Sequence, residues 1–144
     1  MAQKEYPKIY LYRRVVQAKM FIDRKYSEPL DLEILSGEAA FSKFHFIRLF
    51  KKIYGMTPHI YLRQVRMEHA KKHLESGLSV VEACECVGFE SIGSFTTLFK
   101  KTTGVTPTTY QQHFFIHQQK IISQPIQFVP HCFALAHGWQ KKQF

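Results

Sequence analysis

Cysteine is scarce in this chain: Cys84, Cys86 and Cys132 make three, an odd number, with the first two separated by a single residue. That pattern is not a disulfide framework and fits a reducing compartment. Long apolar runs are missing as well. No stretch approaches the ~20 residues that a membrane-spanning helix needs, and Met1 to Tyr6 lacks the apolar centre of a signal peptide, so a soluble cytoplasmic protein with no membrane partner is expected. Acidic residues stop early, every Asp and Glu lying at or before Glu90. No Gly-rich phosphate loop, no nucleophile with a positioned base and no carboxylate pair can be found, so the chain is not expected to be an enzyme.

The charge that remains is positive. Twenty Lys and Arg against eleven Asp and Glu give a formal net charge of +9 over 144 residues. A bias of that size points to a polyanionic partner, nucleic acid before an anionic membrane surface. With 45% hydrophobic residues, thirteen of them Phe, the chain can also bury a real interior.

One stretch occurs twice. Phe46-Ile47-Arg48-Leu49-Phe50-Lys51-Lys52-Ile53-Tyr54-Gly55-Met56-Thr57-Pro58-His59-Ile60-Tyr61 returns 49 residues later, without a gap, as Phe95 to Tyr110. Nine of the sixteen positions are identical. In each copy Phe, Leu and Phe fall at i, i+3 and i+4, one stripe of a helix, and a Lys pair follows at its C-terminal end. Gly-x-Thr-Pro then stops that helix and starts another.

Around the repeat, the spacing predicts an all-α chain. A loose arm over 1–9 leads to a helix from Tyr10 to Tyr26, with Val15, Ala18, Ile22 and Tyr26 inward, closed by Ser27-Glu28-Pro29. Asp31 caps a short helix, Leu32 to Ala39, and Ser42 caps a longer one, Lys43 to Tyr54. A long helix from His59 to Ser76 carries Leu62, Val65, Ala70 and Leu74 inward. Ser79 then caps Val80 to Val87, and a helix opening near Ser91 runs to Thr103. Pro107 starts a last short helix to about His117. Short helix, tight turn and longer helix, used twice, is helix-turn-helix spacing. The expected units are 10–58, a linker helix 59–76, and 77–117. Residues 118–144 have no assigned role, and Ile126-Gln127-Phe128-Val129 and Phe133 to Ala136 read weakly as strand.

Two positions are costly. Ala40 stands where Gly88 occupies the second turn, a strain of ~1 kcal/mol if that turn needs positive φ. Gly37 inside a helix costs about another ~1 kcal/mol relative to Ala. His69 and His73, and likewise His113 and His117, have the i, i+4 spacing of a metal pair, but no Glu or Cys completes either in sequence. A set of His113, His117, His131, Cys132 and His137 is the one conceivable zinc site, and no metal or cofactor is expected.

Residues from about Val15 to Gln112 resemble the DNA-binding domain of the AraC/XylS family of bacterial transcription regulators. The resemblance rests on Leu30-x-Leu32-x-x-Leu35, on Ser42-x-x-x-Phe46-x-x-x-Phe50-Lys51, and on Gly55-x-Thr57-Pro58-x-x-Tyr61-Leu62. It continues through Arg66-x-x-x-Ala70-x-x-x-Leu74, Glu82, Val87-Gly88-Phe89, Phe95-x-x-x-Phe99-Lys100 and Gly104-x-Thr106-Pro107-x-x-Tyr110. It implies two homeodomain-like three-helix units joined by a linker helix, and a monomer reading two successive major-groove segments of double-stranded DNA. It also implies RNA polymerase or other transcription machinery as a further partner, and a place on the bacterial nucleoid. A DNA-binding portion of a larger effector-sensing regulator, and a nonspecific nucleic-acid-binding protein, are the alternatives.

A helix in the major groove reads base edges with its N-terminal half, while phosphate contacts fix its register. The expected readers are Lys43, Phe44, Ile47 and Arg48 in the first unit and Ile92, Gly93, Thr96 and Thr97 in the second. Arg48 can bond guanine O6 and N7 together, whereas none of the second set is charged. Expected phosphate ligands are Ser42, Lys51, Lys52, Arg63, Arg66, Ser91, Lys100 and Lys101. The Lys pairs also complement the helix dipoles.

Overall fold

The computed structural model describes residues 6–139, and these form eight α-helices and one 3-10 turn, with no strand among them. The helices are α1 (Tyr6–Lys25), α2 (Leu32–Glu38), α3 (Lys43–Tyr54), α4 (Pro58–Glu75), α5 (Val80–Cys86), α6 (Ile92–Thr103), α7 (Pro107–Ser123) and α8 (His131–Ala136), with the 3-10 turn at Pro125–Phe128. Each helix from α2 to α7 begins where a hydroxyl or carboxylate can accept a backbone N–H. Asp31, Ser42, Ser79 and Ser91 do so for α2, α3, α5 and α6. Thr57 and Thr106 of the two Gly-x-Thr-Pro segments do the same for α4 and α7, with Pro58 and Pro107 in the first turn, where a missing N–H costs nothing. Gly55 and Gly104 close α3 and α6 in the left-handed conformation, each N–H bonding the carbonyl of the first lysine of its Lys pair.

Three expectations are corrected. The arm expected at 1–9 is helical from Tyr6 onward, because Pro7 lies in the first turn of α1 and does not interrupt it, while residues 1–5 lie outside the described part. The last helix does not stop at His117: nothing from Pro107 to Ser123 breaks it, and it ends only before Pro125. The weak strand reading of the tail fails as well. Pro125 and Pro130 bracket four residues, room for one 3-10 turn, and Phe133 to Ala136 lies in α8.

Two cores result. Val15, Ala18 and Ile22 of α1 meet Leu35 and Ala39, Phe46 and Phe50 of α3, and Leu62 of α4 in the first. Met67, Ala70 and Leu74 of α4 meet Ala83, Cys84, Val87, Phe95 and Phe99 in the second. So α4 is both the wall of one three-helix unit and the first helix of the next. The repeated Phe pairs, Phe46/Phe50 and Phe95/Phe99, are completely buried, and burying a Phe contributes about 1.5–3 kcal/mol each. The repeated tyrosines also do equivalent work. Tyr61 Oη donates to Asp23 on α1 at 2.7 Å, and Tyr110 Oη donates to Glu75 on α4 at 2.6 Å. Burial, with the Glu75 hydrogen bond added, pushes the Tyr110 phenol up to about 12.

Both turns need positive φ, so the strain anticipated at Ala40 is present. Ala40 takes φ 53° and Gly88 takes φ 79°. A side chain on Gly88 would be doubly impossible, since its Cβ would lie 2.4 Å from the Ser27 carbonyl oxygen. Gly37 faces open space, with nothing within 4 Å of where a Cβ would stand. His69, weighed as half of a metal pair, instead stacks on Tyr26 with ring centroids 3.9 Å apart. Burial lowers its imidazole pKa, with Lys72 and His73 acting in the same direction.

Candidate nucleic-acid interface

Helices α3 and α6 each bury one face and present another. In α3, Phe46 and Phe50 turn inward while Phe44 stands 82% exposed, with Arg48 also exposed and Ile47 half-buried. Lys43 is exposed and lies 3.4 Å from Glu33 of α2, a surface pair that leaves its ammonium in water. In α6, Ile92, Gly93 and Thr97 are exposed and Thr96 is half-buried. A Cβ added at Gly93 would meet only the Ser91 hydroxyl, at 3.6 Å, so this end of α6 offers bare backbone. The Ser42 and Ser91 hydroxyls are engaged as caps, accepting from His45 N and Ser94 N, yet both residues remain exposed. Lys51, Lys52, Lys100 and Lys101 are exposed at the C-terminal ends.

The fold gathers part of the expected set around α6. One open cleft is lined by Arg63 of α4 with Gly93, Ser94, Thr97, Leu98 and Lys101 of α6, together with Phe89. Expected readers and expected phosphate ligands therefore share one opening. A neighbouring cleft, lined by Pro29, Leu30 and Asp31 on one side and Gly88 to Ser91 and Ser94 on the other, holds Arg66.

Arg66 has a structural engagement that the sequence did not suggest. Its Nε donates to the Tyr26 carbonyl at 2.7 Å and its Nη2 to the Glu28 carbonyl at 2.8 Å, so one edge of the fork is committed inside the protein. Burial lowers its pKa from the ordinary guanidinium value.

A family model described as a helix-turn-helix domain matches residues 35–113, more than half of the chain. The multiple antibiotic resistance protein MarA of Salmonella typhimurium is 36% identical over 92 residues, which cover 63% of this chain and 72% of that protein. The chain belongs to the AraC/XylS family. Its match to the bifunctional transcriptional activator/DNA repair enzyme AdaA of Bacillus subtilis is 41% identical over 93 residues, 64% of this chain but only 44% of that protein. Among solved structures, the C-terminal domain of the response regulator AraT from Geobacillus stearothermophilus superposes with a TM-score of 0.67 at 31% identity, covering 69% of this chain and 84% of that one. The chain thus carries a helix-turn-helix domain of the AraC type, and it spans less than half the length of the first curated relatives it matches, 44%, 27% and 25%. No helix among the described residues is long and apolar enough to cross a membrane.

Within this AraC-type fold, Ser94 was missed from sequence. It is exposed, lies in the first turn of α6 and lines both clefts. Its signal was available, since the 49-residue offset pairs it with His45, beside Phe44.

Proposed function

We propose that this regulator binds DNA as a monomer and lays α3 and α6 in two successive major-groove segments on one face of the duplex. The observation that carries the reading is the repeat. Two helices with the same buried Phe-Phe stripe, the same serine cap and the same terminal Lys pair stand at opposite ends of α4. That linker has 18 residues, a length of ~27 Å at 1.5 Å per residue. With the width of the flanking turns, the span approaches the ~34 Å of one helical turn of DNA.

The two ends read differently. Arg48 bonds a guanine edge, with Lys43, Phe44 and Ile47 beside it, Phe44 and Ile47 lying against thymine methyls. Bare Gly93 lets the α6 backbone approach closely, while Ile92, Thr96 and Thr97 supply methyl contact and shape readout, and Ser94 adds a hydroxyl. Lys51, Lys52, Arg63, Lys100 and Lys101, with the Ser42 and Ser91 ends, hold phosphates. Their contribution to affinity falls with salt.

The test is a binding-site selection from random duplex followed by single base-pair swaps. Swaps under the Arg48 half-site cost ~1–3 kcal/mol each, and swaps under α6 cost less. Equal costs in both halves contradict the division of labour, and equal affinity for the selected and a random duplex contradicts sequence reading altogether.

A further inference from the structure

The two units meet at a small joint where one backbone rests against another and a few side chains bridge them. On the first unit it comprises Tyr26, Ser27 and Glu28, the segment that follows α1. On the second it comprises Gly88 and Phe89, three residues before α6 begins. The Gly88 backbone rests so close to Ser27 that no Cβ fits between them. Tyr26 packs against both cores and stacks on His69 of α4.

Arg66 sits in the middle. One edge of its guanidinium bonds the Tyr26 and Glu28 carbonyls, and its carbon lies 5.6 Å from the centre of the Phe89 ring. The Tyr26 and Glu28 carbonyls lie past the end of α1, where no further helical turn supplies donors. A planar fork satisfies both at once while its face meets an aromatic ring, which a lysine ammonium cannot do. One side chain of the linker thereby ties the first unit's turn to the second unit's turn.

We propose that Arg66 is a positioning residue that fixes the separation and rotation of the two reading helices, and through them the half-site spacing that the protein accepts. This rests on the reading in which both α3 and α6 enter the major groove. Each base pair added between half-sites moves the second by ~3.4 Å and turns it by ~34° about the duplex axis. A rigid joint cannot follow such a change. A joint without its tie can, at the expense of affinity on the preferred spacing.

The experiment measures affinity of the full chain for its selected site with the spacer unchanged and with one or two base pairs added or removed. Wild type, Arg66→Gln, Arg66→Lys, Phe89→Leu and Lys100→Gln are compared. Wild type loses about tenfold or more for one added pair, a cost comparable to that of a mismatch. In Arg66→Gln the ratio between preferred and altered spacing shrinks at least about fivefold, with Arg66→Lys and Phe89→Leu between it and wild type. Lys100→Gln, a phosphate ligand, weakens binding at every spacing and leaves the ratio alone.

If Arg66→Gln does not fold, Arg66→Lys and Phe89→Leu carry the comparison. A sharp wild-type optimum that the Arg66 variants keep, with affinity lowered equally at all spacings, overturns the positioning role while leaving the two-helix reading intact. A wild type indifferent to spacing overturns both.

Discussion

Arg48 and Thr97 occupy matching places in two helices that share their buried Phe-Phe stripe and terminal Lys pair, and the difference between them is chemical. A guanidinium makes two directed bonds to one base, whereas a threonine offers one hydroxyl and a methyl. Arg48→Ala is expected to cost ~1–3 kcal/mol on the selected site and to level the preference at a single base pair, while Thr97→Ala costs less, both read by titration against the swapped duplexes. At the same scale, Ala40 holds φ 53° with a side chain that disfavours it, and Gly37 brings helix-breaking freedom to an open surface. Ala40→Gly and Gly37→Ala should each stabilise by ~0.5–1 kcal/mol in urea unfolding, opposite substitutions with one sign because the backbone demands are opposite. Both positions were legible in sequence, the first by comparison with Gly88. Arg66 was not. Its partners are main-chain carbonyls of Tyr26 and Glu28, and residue type carries no trace of which carbonyls a fold leaves unbonded, so a linker arginine reads as one more phosphate ligand.

Among the elements, the helices that announce themselves are those with a cap at one end and a stop at the other. Asp31, Ser42, Ser79 and Ser91 were found at the starts that their chemistry dictates. The start of α5 is the most complete, since Ser79 Oγ accepts from Glu82 N while the Glu82 carboxylate accepts from Ser79 N at 2.8 Å. Hydrogen bonding of the Glu82 carboxylate by Ser79, through the side chain first and the backbone second, holds the carboxyl below its ordinary value. A depressed carboxyl contributes stability above its unfolded pKa and loses it as pH falls through the folded value. Ser79→Ala is therefore expected to destabilise at neutral pH, and the gap to wild type to narrow as unfolding curves are taken to acid pH through the carboxylate range. The tail was misread for a related reason. Between Pro125 and Pro130 the run Ile126 to Val129 has strand-like composition, but four residues between two prolines have neither the length nor a paired neighbour to become a strand. The start of α1 was set four residues late, at Tyr10, although Pro7 is tolerated in a first turn.

For the molecule as a whole, α4 was legible in its extent, to one residue at each end, and less so in its packing. Leu62 faces one core, while Met67, Ala70 and Leu74 face the other. A helix serving two interiors shows no single apolar stripe, and Met67, five residues past Leu62, falls off the stripe that sequence suggests. Yet this double duty makes two three-helix units one body, closed by Arg66 at the joint. On the proposed reading, the net charge of +9 acts on DNA through the exposed Lys51, Lys52, Lys100 and Lys101 at the reading-helix ends and Arg63 beside α6. With about five phosphate contacts, log affinity should fall against log salt with a slope near −4 to −5. The central claim is that both helices occupy the major groove together, and guanine-N7 methylation interference on the selected duplex tests it most directly. Two patches of interference centred about one turn apart on the same face, the stronger under Arg48, are predicted; a single patch, with the other half of the site indifferent to methylation, would contradict it.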